Sequence, residues 1–220
     1  ANTAKYFEDI GVERITLPPN FNRMLAALEK LRRNVDCELE TIVNLGCLWE
    51  CPINYYHASL GGHFSQDDMR MDYVDYPRLK CSMKRLEPTE LIKSGWIRPE
   101  DVHIFEKAGI EWFKIAGREK STEWLLRCAK AYSTGCYDGN LIDLLENTFI
   151  ETDKPPFYID NKKLDGFINF FIDGNCKNEC KRCDYCPNAA EKSVYAGMQK
   201  EEIDAYRNKL EHLLSKSLSR

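Results

Sequence analysis

The sequence predicts an α/β chain: a parallel sheet, either open or half of a partial (β/α) TIM-type barrel, followed by a C-terminal cysteine-rich metal-binding appendage. Three observations predict it. Extended and helical runs alternate up to about residue 135. The strands of parallel type among them number three, too few to close a barrel of eight. Beyond residue 150 the alternation stops, and Cys176, Cys180, Cys183 and Cys186 crowd into eleven residues. The division is accordingly expected near residue 150, with the α/β part at 1–150 and the appendage with a terminal helix at 151–220.

Residues 3–11 read as the end of a helix closed by Gly11, since glycine readily takes the left-handed conformation that ends helices. The apolar run 14–17 is the first strand, stopped by Pro18-Pro19. Met24, Leu25, Leu28 and Leu31 stand at helical spacing and predict a helix over 22–33. The run 39–45, rich in β-branched residues, is the second strand and delivers the chain into Gly46 and Cys47. An irregular stretch is expected over 61–93. Pro99 then opens a helix over 99–108, closed by Gly109; 111–116 is the third strand and 121–132 the next helix. The chain starts in mid-pattern, with a helix and strand but no opening strand, so an upstream segment or a partner chain supplying it is expected. In the tail, Pro155-Pro156, the aromatic run Phe167, Phe170, Phe171 and a polar helix over 189–215 suggest a unit stapled by metal rather than by a large core.

At 220 residues and 43% hydrophobic, the chain can bury a core. A formal charge of -4 exerts no overall pull on nucleic acid. With no apolar run of about eighteen residues and no signal-like start in ANTAKYFEDIGVERI, the expectation is a soluble cytoplasmic protein without a membrane partner. Ten cysteines in such a chain, four of them packed as CxxxCxxCxxC, point to metal rather than disulfides.

Cys180, Cys183 and Cys186 have the C-x2-C-x2-C spacing of iron–sulfur sites, Pro187 follows, and Cys176 adds a fourth thiol. Structural zinc more often uses two CxxC pairs a dozen or more residues apart. A cuboidal [4Fe–4S] cluster therefore suits the loop better, with zinc as the alternative. Cys47 and Cys51 follow the carboxyl end of the second strand, where parallel sheets and barrels place active sites. With Cys81 they make a looser second group, and ordinary buried cysteines are the bland reading of it. Cys37 lies at the strand's other end, about 30 Å away at 3.3 Å per residue, and is set aside.

His57 and His63 follow Cys51 closely and are candidates for hydrogen bonding, proton transfer or ligation, against the plain alternative of satisfied surface imidazoles. Strand alternation sets Lys114 beside Trp112 and Ala116, and a lysine in a strand buried on both faces is costly unless paired. Arg118 lies just past that strand, where a substrate anion would meet it. Snorkelling and capping are the structural roles that compete for these two. Asn44, at an equivalent strand position before Cys47, is expected to face the same site.

The runs IVNLGCLWECPINYYH, SGWIRPEDVHIFEKAGIEWFKIAGRE, YDGNLIDLL and FIDGNCKNECKRCDYC, in that order, together resemble the collagenase-like "peptidase U-thirty-two" family, in its cysteine-rich iron–sulfur branch. The likeness runs over most of residues 3–195. It implies the second half of a (β/α) barrel whose first half is absent here. Better understood relatives are oxygen-independent hydroxylation factors acting on a small-molecule precursor or on RNA. By that resemblance Cys47, Cys51 and Cys81 are the barrel-cluster ligands, with the fourth drawn from the amino-terminal half in some relatives. The terminal CxxxCxxCxxC belongs to this branch and takes no role from the hydroxylation factors.

Three functions compete. One is a redox enzyme or subunit with two [4Fe–4S] clusters, the barrel cluster activating a substrate or an oxygen-atom donor and the tail cluster passing electrons from an electron donor. Another is a non-catalytic electron-transfer or scaffold subunit. The third is a peptidase, for which the chain offers no HExxH, no GxSxG and no Cys/His pair clear of the metal groups.

Overall fold

The computed structural model describes residues 2–64, 75–146 and 148–218, with backbone alone at 61–64 and 217–218. Helix α1 (Asn2–Asp9) leads through Gly11, at φ +94, into strand β1 (Arg14–Leu17). Where the sequence predicts one helix over 22–33 there are two pieces, a 3-10 turn (Pro19–Arg23) and α2 (Leu25–Arg32). The break has a cause. Met24 leaves helical geometry at φ -123 and ψ 55, and the two residues before it are buried polar groups tied to other elements. Asn22 Nδ2 donates to the carbonyls of Ile42 (2.9 Å) and Gly95 (2.6 Å), and Arg23 donates to the Ser94 carbonyl at 2.8 Å.

Strand β2 (Glu38–Ile42) pairs in parallel with β1 and with β3 (Trp112–Lys114), in the order β1-β2-β3. Among the described residues the parallel sheet has these three strands. The strand expected over 39–45 persists past Ile42 as separate bonds: Val43 N donates to Lys114 O, and Leu45 bridges Glu146. Alternation gives the sheet two unlike faces. Leu17, Leu39 and Thr41 are buried on one, in a core shared with Leu25, Leu28 and Leu31 of α2. The other is open and carries Arg14, Glu38, Glu40, Trp112 and Lys114, with Arg14 paired to Glu38 at 2.7 Å and lying 3.6 Å over the Trp112 ring.

Three helices follow β2: α3 (Asn54–Phe64), α4 (Tyr76–Lys84) and α5 (Pro88–Lys93). The last two fall in the stretch expected to be irregular. They are too short to show an apolar repeat, and α4 depends on a cap, its Arg78 N donating to Asp75 Oδ1 at 3.0 Å. The helix expected at 99–108 opens as a 3-10 turn (Pro99–Asp101) before α6 (Val102–Lys107), and α7 (Thr122–Thr134) starts on the Ser121 hydroxyl.

In the tail come β4 (Phe157–Ile159), α8 (Asn169–Ile172), α9 (Tyr185–Ser193), β5 (Val194–Ala196), antiparallel to β4, and α10 (Lys200–Leu218). The polar helix expected over 189–215 is thus two helices with a strand between. Phe157, Ile159, Phe167, Phe171, Leu210 and Leu214 are buried in the same core as Leu28, Leu39 and Phe105. Helix α9 packs on α5, and α10 packs on α4.

A polar knot joins the two stretches. Arg98, 1% exposed, donates to Asn161 Oδ1 (3.0 Å), the Leu164 carbonyl (2.9 Å) and Asp165. Asn161 in turn donates to Glu100 at 2.9 Å and to the Tyr137 carbonyl at 2.7 Å.

Candidate functional site

Cys47, Cys51 and Cys81 line one cavity of about 40 Å³, together with His57, Arg78 and Arg85. The first two arrive off the carboxyl end of the β2 segment, and Cys81 comes from α4. Two backbone features bring them round. Glu50 stands at φ +49, a left-handed conformation that costs a residue with a side chain and turns the loop between Cys47 and Cys51 back on itself. Gly46 lies against the Glu146 strand bridge: a Cβ there would stand 2.7 Å from Thr148 Cγ2 and 3.1 Å from the Glu146 carbonyl. Its own carbonyl accepts from Arg85 Nε at 2.8 Å.

Arg85 is 3% exposed and spans the floor, donating also to the Thr148 carbonyl at 2.8 Å. Burial pushes the Cys47 and Cys81 thiols up from their ordinary values, and the Arg85 guanidinium pulls both back. His57 Nε2 stands 3.3 Å from the Asp75 carboxylate that caps α4, so its position is held by a second residue. Replacing Gly46 with alanine is expected to lower stability by about 1–3 kcal/mol through this overpacking. A urea midpoint equal to that of the parent would mean that Thr148 and the bridge yield freely.

The other candidates lie elsewhere. Lys114 projects from the open sheet face, with Nζ 3.6 Å from Glu40, and Arg118 is exposed beyond β3; neither is among the residues lining the thiol cavity. Lys114 escapes the burial cost because its face of the sheet is open. His63 falls on the last turn of α3, with its side chain outside the described residues. Asn44 is a clamp rather than a site group: it is fully buried, donates to the carbonyls of Ala116 (3.0 Å) and Leu144 (3.1 Å), and accepts from Ala116 N at 2.8 Å.

Sequence reasoning missed Arg85, Asp75 and Glu146. Glu146 is 3% exposed, its carboxylate 3.1 Å from Lys120 Nζ, its pKa raised by burial, and its charge felt by Cys47. The signal for it was a glutamate directly after the apolar run Leu141, Ile142, Leu144, Leu145.

Cys176, Cys180, Cys183 and Cys186 line a second and larger cavity of about 270 Å³. Gly174 at φ +66 and Asn178 at φ +59 bend the loop, and Cys186 lies in the first turn of α9. Beside it Tyr185 anchors the loop to the core, stacking on Phe170 at 3.9 Å and donating to the Phe167 carbonyl at 2.8 Å. Burial pushes the Cys186 thiol up to about 11 against the opposing charge of Arg23. Among the described residues no group of three or more His, Cys, Asp or Glu side chains is arranged to hold a single metal ion.

No helix among the described residues is long and apolar enough to cross a membrane. No family model matches the chain, and no solved structure does. Over 193 residues it is 34% identical to a protein of Methanocaldococcus jannaschii named as an uncharacterized protease, an alignment covering 87% of this chain and 56% of the relative. The chain thus spans about half the length of that curated relative.

Proposed function

We infer that this chain is an iron–sulfur protein of the collagenase-like peptidase U-thirty-two family, carrying the second half of a (β/α) barrel and two [4Fe–4S] sites. The observation that carries this reading is convergence. Cys81 stands thirty residues beyond Cys51, yet it lines the same cavity as Cys47 and Cys51, while the four tail thiols line another. Within the barrel site Cys47, Cys51 and Cys81 would hold the cluster. His57, braced by Asp75, is a further metal-ligating or proton-carrying side chain in that cavity. A cluster bound there would supply one-electron chemistry next to substrate. Arg85 sets the charge of the floor, and His57 is the side chain in the lining able to move a proton. The reaction class is redox, of the oxygen-independent hydroxylation type: an oxygen-atom donor would give its oxygen to a substrate C–H bond and leave reduced, and a cluster at the tail would pass electrons to and from the barrel site.

Iron and acid-labile sulfide analysis of anaerobically purified protein, with Cys47→Ser and Cys183→Ser made separately, tests this. The expected result is two cluster signals, each lost with one substitution. Zinc without iron at both sites would sink the redox reading.

A second reading has its own support, since the relative is named as a protease and the cavity places thiols beside a His57–Asp75 pair. Against it, a nucleophilic cysteine needs a lowered pKa, and burial drives the Cys47 and Cys81 thiols upward. Hydrolysis of a denatured protein substrate by metal-free protein, abolished by iodoacetamide, would establish it.

A further inference from the structure

We propose that Arg23 is the buried charge counterpart of an anionic cluster seated in the tail cavity and that it holds the reduction potential of that cluster up. This rests on the reading of the tail site as an iron–sulfur site.

Arg23 is 5% exposed, and its guanidinium lies over three aromatic rings, 4.5 Å from the centroid of Trp96, 5.3 Å from Phe167 and 5.2 Å from Phe171. One terminal nitrogen donates to the Ser94 carbonyl at 2.8 Å and the other to its neighbour's carbonyl, Asn22 O, at 3.4 Å. The Nε–H is buried without a partner. Among the described residues no carboxylate forms an ion pair with Arg23; the nearby Asp101 pairs with Arg98 at 3.8 Å.

A buried cation with a free N–H is costly unless an anion meets it. The groups whose charge acts on Arg23 include the Cys186 and Cys176 thiols, which pack against the same aromatic core. As neutral thiols they offer it nothing. As thiolates ligating a cluster they supply the missing anion.

The other cations around the cavity are already engaged. Lys93 pairs with Glu90 at 2.9 Å, Arg182 with Glu179 at 3.7 Å, and Lys177 donates to the Gly174 carbonyl. Arg23 is not itself in the lining; it stands behind Phe171, which is, with its guanidinium 5.2 Å from that ring and a buried, unpaired Nε–H. Reduction adds one electron, hence one negative charge, to the cluster, and a fixed cation in a low-dielectric setting favours the more negative state. Cluster potentials respond to such nearby charges.

The test uses the full chain, purified and titrated without oxygen, following by electron paramagnetic resonance the signal that Cys183→Ser removes. Arg23→Met is expected to lower the reduced-to-oxidised ratio of that signal at least tenfold at fixed potential, about 59 mV for one electron. Arg23→Lys, which keeps the charge, should shift it far less. An unchanged midpoint in folded, loaded Arg23→Met overturns the proposal. Should that variant not fold, Arg23→Gln takes its place; failure of both to fold, with cluster or without, would make Arg23 structural and equally overturn it. Absence of any cluster signal from the tail of the parent protein would instead defeat the iron–sulfur reading itself.

Discussion

Replacing Arg98 with methionine is expected to lower the stability of the chain by about 3–5 kcal/mol, the cost of removing one member of a buried charged network. The loss strands Asn161 and the Leu164 carbonyl and removes the cation nearest Asp101. It should depend on pH in a particular sense. Burial pushes the Asp101 carboxyl up to about 6, above its ordinary value of 3.8, despite the pull of Arg98 and Arg23. The folded form therefore gains from this group below its unfolded value and loses that gain as the pH rises through 6. In Arg98→Met the carboxylate is buried with less compensation at pH 8, whereas at pH 5 it takes up a proton. Urea titrations should show the larger deficit at pH 8. Equal deficits at the two pH values would show that Asp101 is not part of the cost.

Trp96→Ala should cost a similar amount, about 3–5 kcal/mol, through lost burial and the cavity left behind. Trp96 is 1% exposed, donates from Nε1 to the Leu91 carbonyl at 2.8 Å and stacks on Phe167 at 5.7 Å. It thus joins the segment after α5 to the tail while supporting Arg23 from below. Trp96→Phe should recover a large part of the loss. A deficit under about 1 kcal/mol for the alanine variant would mean that the core collapses into the gap.

The α/β part was legible where local chemistry agrees with the fold. The residue range 14–17 was read as found, Gly11 and Gly109 close their helices at positive φ, and the helix expected over 121–132 is α7, Thr122–Thr134. Legibility failed where long-range bonds decide. Nothing local in Asn22 and Arg23 announces that their side chains will be claimed by Ile42, Gly95 and Ser94, and so the helix through them is broken. Helices α4 and α5 are too brief for periodicity to register. The cysteine groups were visible because thiol spacing is itself the signal, and His57 because it lies six residues from Cys51. Arg85 and Glu146 were hidden because charged residues in a sequence read as surface. Only the fold shows them buried at 3% exposure.

The packing of α10 on α4 has a consequence for assembly. The helix that presents Cys81 leans on α10, and Tyr206 closes that seam by donating to the Ile150 carbonyl at 2.6 Å. Contacts so distant along the chain form only once the intervening loop has been closed, which makes them late events in folding. During synthesis, Cys47 and Cys51 leave the ribosome long before the wall of their cavity is in place. A cofactor delivered to that cavity would therefore find it complete only after α10 has been translated.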